Sequence, residues 1–300
     1  MAVPLVGIDL GSTALKVVEL ARFSGRIVLR RAAIASLEGR DAAEALKQLL
    51  DETGITTSQA AVGLASPEVI VKPFEFPPMP KKELASAIQL EAEESILNGH
   101  SPHSMAMDWH TLSSDAKESI RGLLAVVPKT AVAARLQAAK AAGLHPAVVD
   151  VEGLALWNAY WALVGAREPA PKTVFLVNVG TNTTNLVIAK GRDELILIRD
   201  LQLGAKALGS GQESEWVAEV RDSIGYARST GGMRTLDAVS ITGGGCGPNL
   251  IPLLKAAVSV PLTFWNPLNQ LEREADSPAI ADAQGPLLAI AIGLALRQPS

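Results

Sequence analysis

The sequence predicts an α/β protein made of two related halves, and three observations carry that prediction. A glycine-hinged strand turn is written twice, as Gly7-Ile-Asp-Leu-Gly-Ser-Thr13 and as Val177-Asn-Val-Gly-Thr181. Each copy opens a run of three apolar strands followed by a helix, so the halves share one order of elements. At 300 residues with 48% hydrophobic content, the chain has enough apolar material for a core in each half.

The elements follow in order. Val6–Leu10 and Ala14–Leu20 read as a hairpin about the first polar turn, with the strand-like character beginning at Val3, and Arg26–Ile34 alternates as a third strand. Asp41–Glu52 has helical spacing, with Leu46, Leu49 and Leu50 on one face. Ala60–Leu64 and Glu68–Val71 read as short strands, and Pro77, Pro78 and Pro80 end regular structure after Phe76. Lys82–Leu97 is an amphipathic helix with Leu84, Ile88 and Ile96 apolar and Glu91, Glu93 and Glu94 as a solvated acidic face. Ala106–His110 and Arg121–Val127 suit two strands around a polar loop, and Thr130–Ala142 is a helix closed by Gly143. Ala147–Val151 is a strand leading into the apolar helix Val151–Val164, where Trp157 and Trp161 read as a core stripe.

The segment Ala166–Lys172, with two prolines and charges, is the expected domain boundary, dividing the chain into 1–165 and 166–300. The second half then reads as strands Thr173–Val177, Thr184–Ala189 and Leu195–Leu201, a helix Glu215–Ser229 and a strand Val239–Thr242 before Gly243-Gly-Gly245. Helices Asn249–Val258 and Pro286–Arg297 close the chain.

Composition excludes several classes of function. Net charge is -4 and the 27 Lys and Arg residues are scattered, so a nucleic-acid partner is not expected. The single Cys246 permits no internal disulfide and reads as a small buried residue, which fits a reducing compartment. No basic leader precedes an apolar core, and Leu287–Leu296 is about half the roughly 20 residues that span a bilayer, so the expected location is the cytosol. The four histidines, His100, His103, His110 and His145, are irregularly spaced and do not suggest a metal site.

The chemistry lies in the repeated turn. Gly11 and Gly180 are placed to take backbone angles closed to other residues, and the amides and hydroxyls of Ser12, Thr13, Thr181 and Thr183 can donate to phosphate oxygens. Asp9 is placed to hold a hydrated Mg2+. One such turn is an ordinary hairpin, but one in each half can clamp a nucleotide polyphosphate between two domains. Gly243, Gly244 and Gly245, after a buried strand, leave room for a flat ligand such as adenine, or merely turn the chain into a helix.

The order of these features (early turn, helix rich in small residues, mid-chain turn, late glycine triplet, final helix rich in small residues) resembles the actin, hexokinase and heat-shock ATPase superfamily. Ala155, Ala159, Ala289, Ala291, Gly293 and Ala295 match the small residues of its two connecting helices. Within it the chain resembles the PilM family of type IV pilus assembly. The resemblance is carried by Gly7 to Leu20, by Phe76-Pro-Pro-Met-Pro-Lys-Lys-Glu-Leu84 with the helix to Leu97, and by Val127-Pro-Lys129 with Ala142-Gly-Leu144. Val149-Asp-Val-Glu152, Thr242 to Gly245 and Asn266-Pro267 complete it.

The resemblance implies an α/β fold of actin-like, ribonuclease H-like duplicated domains. It implies an inserted subdomain at about 74–146, shared in position with the cell-division protein FtsA, and a final helix at 285–297 packing back toward the first domain. It implies ATP and Mg2+ as ligands, with Asp9, Gly11, Ser12 and Thr13 as the first phosphate loop and Lys16 near the phosphates or a neighbouring carboxylate. Asn178, Gly180, Thr181 and Thr183 would form the second loop, and Gly243, Gly244 and Gly245 the adenosine loop. The implied partner is the cytoplasmic N-terminal tail of a PilN-like membrane protein, gripped in a groove for which the segment Val71 to Leu97 is the candidate. The implied role is an adaptor at the cytoplasmic face of the inner membrane, serving pili and twitching motility, with self-association left open.

Two departures bear on that picture. The superfamily usually has an aspartate where this chain has Asn178. Two charges about 6 Å apart at an effective dielectric near 20 interact by roughly 2 to 3 kcal/mol, so Mg2+ affinity is expected to fall and hydrolysis to be slow at most. Between Leu203-Gly-Ala205 and Glu215 only a short Gly and Ser linker stands where the superfamily places a further subdomain. The alternatives are a nucleotide-free scaffold, a type II secretion adaptor, which would usually carry a membrane helix after the actin-like part, and a small-molecule kinase. For the kinase, Asp108 and Asp150 are the aspartates in reach.

Overall fold

The computed structural model describes residues 5–23, 25–96, 102–114 and 119–297. Val3, Leu97 and His100, which the sequence reading assigns to a strand, a helix and a histidine set, lie outside these residues, as does the centre of the polar loop before Ile120.

The first half opens with β1 (Val6–Leu10), β2 (Ala14–Phe23), β3 (Arg26–Ser36), α1 (Ala42–Thr53) and β4 (Gln59–Leu64). An excursion follows through β5 (Ile70–Phe76), α2 (Lys81–Ile96), β6 (Met105–Ser114) and β7 (Ile120–Pro128), and the chain returns by α3 (Lys129–Ala141), β8 (His145–Val151) and α4 (Glu152–Leu163). The second half contains β9 (Thr173–Val179), β10 (Thr184–Lys190), β11 (Glu194–Leu201), α5 (Ala205–Leu208), α6 (Glu213–Ser229) and β12 (Ala238–Thr242). It closes with α7 (Leu250–Ala257), β13 (Leu262–Phe264), β14 (Glu272–Arg273) and α8 (Ala289–Ala295).

Each half is built on one mixed sheet, ordered β14-β3-β2-β1-β4-β8 in the first and β11-β10-β9-β12-β13 in the second. The hairpin strand is antiparallel to the first strand in both (β1 with β2, β9 with β10), and a parallel strand lies on its other side (β4, β12). The duplication read from the two turns is thus a duplication of sheet topology. The excursion forms its own sheet, β5-β7-β6, with Leu84, Ile88 and Ala92 of α2 and Phe74, Leu124 and Val126 in its core. Pro73 is tolerated inside β5 because β5 is an edge strand whose outer face needs no ladder donor.

The halves share a core where α4 and α8 cross. A Cβ added at Gly293 of α8 would lie 1.8 Å from the Ala155 carbonyl oxygen of α4, and one at Gly7 of β1 would lie 2.0 Å from that of Ala291. The close crossing is therefore set by absent side chains, as the small-residue pattern predicts. The chain also ties the halves at an edge: β14 pairs in parallel with β3, with Arg26 bonded to Glu272 at 3.1 Å and Arg30 to Glu274 at 3.2 Å.

Four readings shift. The strand expected at Glu68–Val71 starts at Ile70 and runs to Phe76, because the prolines stop it only from Pro77 onward. The final helix is a 3-10 stretch Asp282–Leu288 before α8, since Pro286 cannot donate to an α-helical ladder. The short pieces α5, β13 and β14 carry too few residues for any periodicity. Cys246 is half-buried rather than buried, and Trp161 is half-buried while Trp157 joins the core.

Candidate functional site

The two turns meet. Leu10 pairs with Leu15 across the first hairpin, leaving Gly11, Ser12 and Thr13 in the turn between β1 and β2. In the second, the Gly180 amide donates to the Thr183 carbonyl at 2.8 Å, which tightens the turn between β9 and β10. The Thr13 and Thr181 hydroxyl oxygens lie 2.8 Å apart, and the Asn182 side-chain amide donates to the Ser12 hydroxyl at 2.9 Å. Ser12, Thr13 and Thr181 are exposed, so this bridge is at the mouth of the cleft.

Glycine is required at Gly11 for space rather than for its dihedral range, and at Gly180 a Cβ would sit tightly, 3.1 Å from the Thr183 carbonyl. Neither Gly11 nor Gly180 has a positive φ, which corrects the expectation of left-handed backbone there. A Cβ on Gly11 would come within 2.8 Å of both the Ala14 carbonyl and the Lys16 ammonium. Behind the second turn, the Ala205 amide donates to the Gly180 carbonyl and that of Lys206 to the Thr181 carbonyl, both at 2.9 Å. The single turn α5 thus buttresses this loop, and it is all the helix that stands between β11 and α6.

Beneath the turns lies a buried polar cluster. Asp9, at the end of β1, is buried and its Oδ2 pairs with Lys16 Nζ at 3.0 Å, so of the two environments foreseen for Lys16 the carboxylate is the one observed. Across the cleft, Asn178 Nδ2 donates to Asn185 Oδ1 at 2.6 Å, since the two residues face one another in the β9–β10 register. Asn185 Nδ2 in turn donates to Asp200 Oδ1 of β11 at 2.8 Å and to Glu152 Oε2 of α4 at 3.4 Å. Among the described residues, Asp200 Oδ2 is buried with no hydrogen-bond partner.

Burial, and after it the nearby charges of Asp9 and Asp200, raise the Glu152 carboxyl from 4.5 to about 8, against the pull of Arg135 and Lys16. Burial likewise raises Asp200 to about 6, opposed by its bond from Asn185. Glu152 therefore keeps near neutral pH a proton that an ordinary carboxylate would release.

The glycine triplet packs against the second turn. The Gly245 amide donates to the Val179 carbonyl at 2.8 Å and the Gly243 amide to the Pro286 carbonyl at 3.1 Å. Gly243 has φ +97°, and a Cβ there would lie 2.4 Å from the Val179 carbonyl and 2.7 Å from Asn178 Oδ1. Space at Gly243 and Gly245 is thus taken by the protein itself, while Gly244 is exposed.

Sequence reading passed over Asn182, Asn185, Asp200 and Arg135; Glu152 stood inside a quoted stretch without a role. Asn185 carried a signal, being seven residues after Asn178 on the paired strand. A cavity of about 350 Å³ lined by Trp157, Tyr160, Trp161 and Trp265 contains none of the turn residues. Asp108 is exposed and accepts from the Trp109 amide, and Asp150 is buried against Arg297 at 3.2 Å. No group of three His, Cys, Asp or Glu side chains is gathered for a metal among the described residues.

Comparison with known proteins decides the family. The family model described as type IV pilus assembly protein PilM matches residues 7–213. The chain belongs to the PilM family. A solved structure titled as a PilM-PilN type IV pilus biogenesis complex is similar at 25% identity and a TM-score of 0.83, covering 99% of this chain and 98% of that one. A Bacteroides thetaiotaomicron protein with an actin-like ATPase fold is similar at 10% identity and a TM-score of 0.55, covering 89% of this chain and 92% of its own. The ethanolamine utilization protein EutJ from Carboxydothermus hydrogenoformans gives 13% identity and 0.51, covering 99% and 92%. The last two bear on the fold alone, which is actin-like. No helix among the described residues is long and apolar enough to cross a membrane.

Proposed function

We propose that this PilM-family protein is an ATP-binding adaptor of the type IV pilus assembly platform. It works in the cytoplasm at the inner membrane and grips the N-terminal tail of a PilN-like membrane protein. The observation that carries the nucleotide part is the meeting of Thr13 with Thr181 and of Ser12 with Asn182, hydroxyl and amide groups from opposite halves converging at one cleft. The similarity to a PilM-PilN complex supports the partner.

The residues fit a nucleotide triphosphate by donor chemistry. The hydroxyls of Ser12, Thr13, Thr181 and Thr183 and the turn amides would bind phosphate oxygens, and Lys16 would offer a point charge once drawn from Asp9. Mg2+ commonly takes one or two carboxylates with substrate phosphates, so Asp9 alone would hold it through water, where it would neutralise phosphate charge. A carboxylate in place of Asn178 would be expected to strengthen that hold. Catalysis is then secondary, and the nucleotide acts by biasing the angle between halves, which the partner groove senses. The groove candidates remain β5 and α2, where Leu90 is 59% exposed.

A nucleotide-free scaffold is the second reading, favoured by the protein atoms that fill the space at Gly243 and Gly245. Calorimetric titration with ATP, with and without Mg2+, separates the two. Micromolar binding upholds the nucleotide-set adaptor, and no binding at millimolar ATP leaves the scaffold.

A further inference from the structure

The inserted sheet and the first turn are joined by one short path. β7 ends at Pro128 and α3 begins at Lys129 with no linker. α3 packs on β4 and β8 of the first sheet, and Arg135, near its middle, sends Nη1 to the Leu10 carbonyl at 3.0 Å. That carbonyl belongs to the peptide that enters Gly11. An arginine from the helix leaving the insertion therefore holds the backbone of the phosphate turn.

Its charge is felt by the buried Glu152 carboxyl but closes no ion pair among the described residues. Lys16 is already matched by Asp9 at 3.0 Å, whereas among the described residues no carboxylate lies within ion-pair distance of Arg135. Arg135 is half-buried, and among the described residues its one hydrogen bond is that from Nη1 to the Leu10 carbonyl. Guanidinium keeps its charge at all physiological pH and offers a planar fork suited to phosphate.

We propose that Arg135 is the positioning residue that links the nucleotide's terminal phosphates to the inserted β5-β7-β6 unit. It sets the Leu10–Gly11 peptide for phosphate binding and carries the occupied state of the turn into α3 and β7. This rests on the nucleotide reading above. A structural role alone would weaken every ligand in step with stability, whereas a phosphate-linked role discriminates by phosphate count.

The test titrates the full chain and its Arg135→Ala and Arg135→Lys variants with ATP, ADP and adenosine. Thermal melts check the fold, and hydrogen exchange of residues 70–128 is followed with and without ATP. Arg135→Ala is expected to lose roughly tenfold or more in ATP affinity, less for ADP and nothing for adenosine. It should also lose the ATP-induced change in exchange over β5 and β7, with Arg135→Lys recovering part of the affinity. Equal ATP affinity in the wild type and Arg135→Ala, or an unchanged exchange response, overturns the inference while leaving the adaptor reading intact. No ATP binding by the wild type overturns both.

Discussion

Thr13 and Thr181, 168 residues apart in the chain, place their hydroxyl oxygens 2.8 Å from each other across the cleft. A lone hydroxyl pair at an exposed position contributes little to stability, about 1 kcal/mol or less. Its significance is position, since a ligand between the halves would have to take both hydroxyls as its own partners. Thr13→Val with Thr181→Val is expected to move unfolding free energy by less than about 1 kcal/mol while weakening ATP roughly tenfold. Urea unfolding and calorimetry on the same samples check the split.

Asn178→Asp does more than restore a carboxylate. The Asn178 amide is the donor that holds Asn185 at 2.6 Å, and Asn185 in turn serves Glu152 and Asp200. Losing that donor beside buried acids is expected to cost about 1 to 3 kcal/mol in the free protein. Mg2+ with ATP should then raise the melting temperature of the variant by more than it raises that of the wild type. Melts with and without Mg2+ and ATP read both effects.

Glu152 gives the protein a pH dependence. Its folded carboxyl titrates near 8, above the ordinary 4.5, so folding holds its proton in place. The contribution is complete below about 4.5 and is lost as pH rises through 8, because the unfolded state releases the proton first. The slope for one proton is at most about 1.4 kcal/mol per pH unit. Glu152→Gln keeps the acceptor for Asn185 and is expected to flatten the stability profile between pH 5 and 8, by chemical denaturation at each pH. An unchanged profile would place the titration elsewhere.

Gly293→Ala tests the shared core. Its Cβ would sit 1.8 Å from the Ala155 carbonyl, backbone that cannot swing away. Forcing α4 and α8 apart is expected to cost about 1 to 3 kcal/mol or more and to lower the melting temperature. A melt matching the wild type would contradict the crossing.

The longer strands and helices of both halves are legible because hydrophobic period and turn residues agree there, whereas α5, β13 and β14 are too short to show a period, and the duplication is legible because Gly7–Thr13 and Val177–Thr181 repeat. The site was half legible. Turns announce themselves through glycine and hydroxyls, but Asp200 and Arg135 reach the cleft through tertiary packing that no local pattern records. The dihedral expectation for Gly11 and Gly180 failed for a similar reason. Space around a Cβ is set by Lys16 and Thr183, which a sequence spacing does not place.

In the proposed adaptor, nucleotide and partner are felt by one molecule through the angle between its halves. The affinity of a PilN-like N-terminal tail peptide, measured with and without saturating ATP, tests it most directly. A shift of roughly fivefold or more is expected, mirrored by an equal effect of the peptide on ATP affinity. A peptide that binds identically in both conditions, to a protein saturated with ATP, would contradict it.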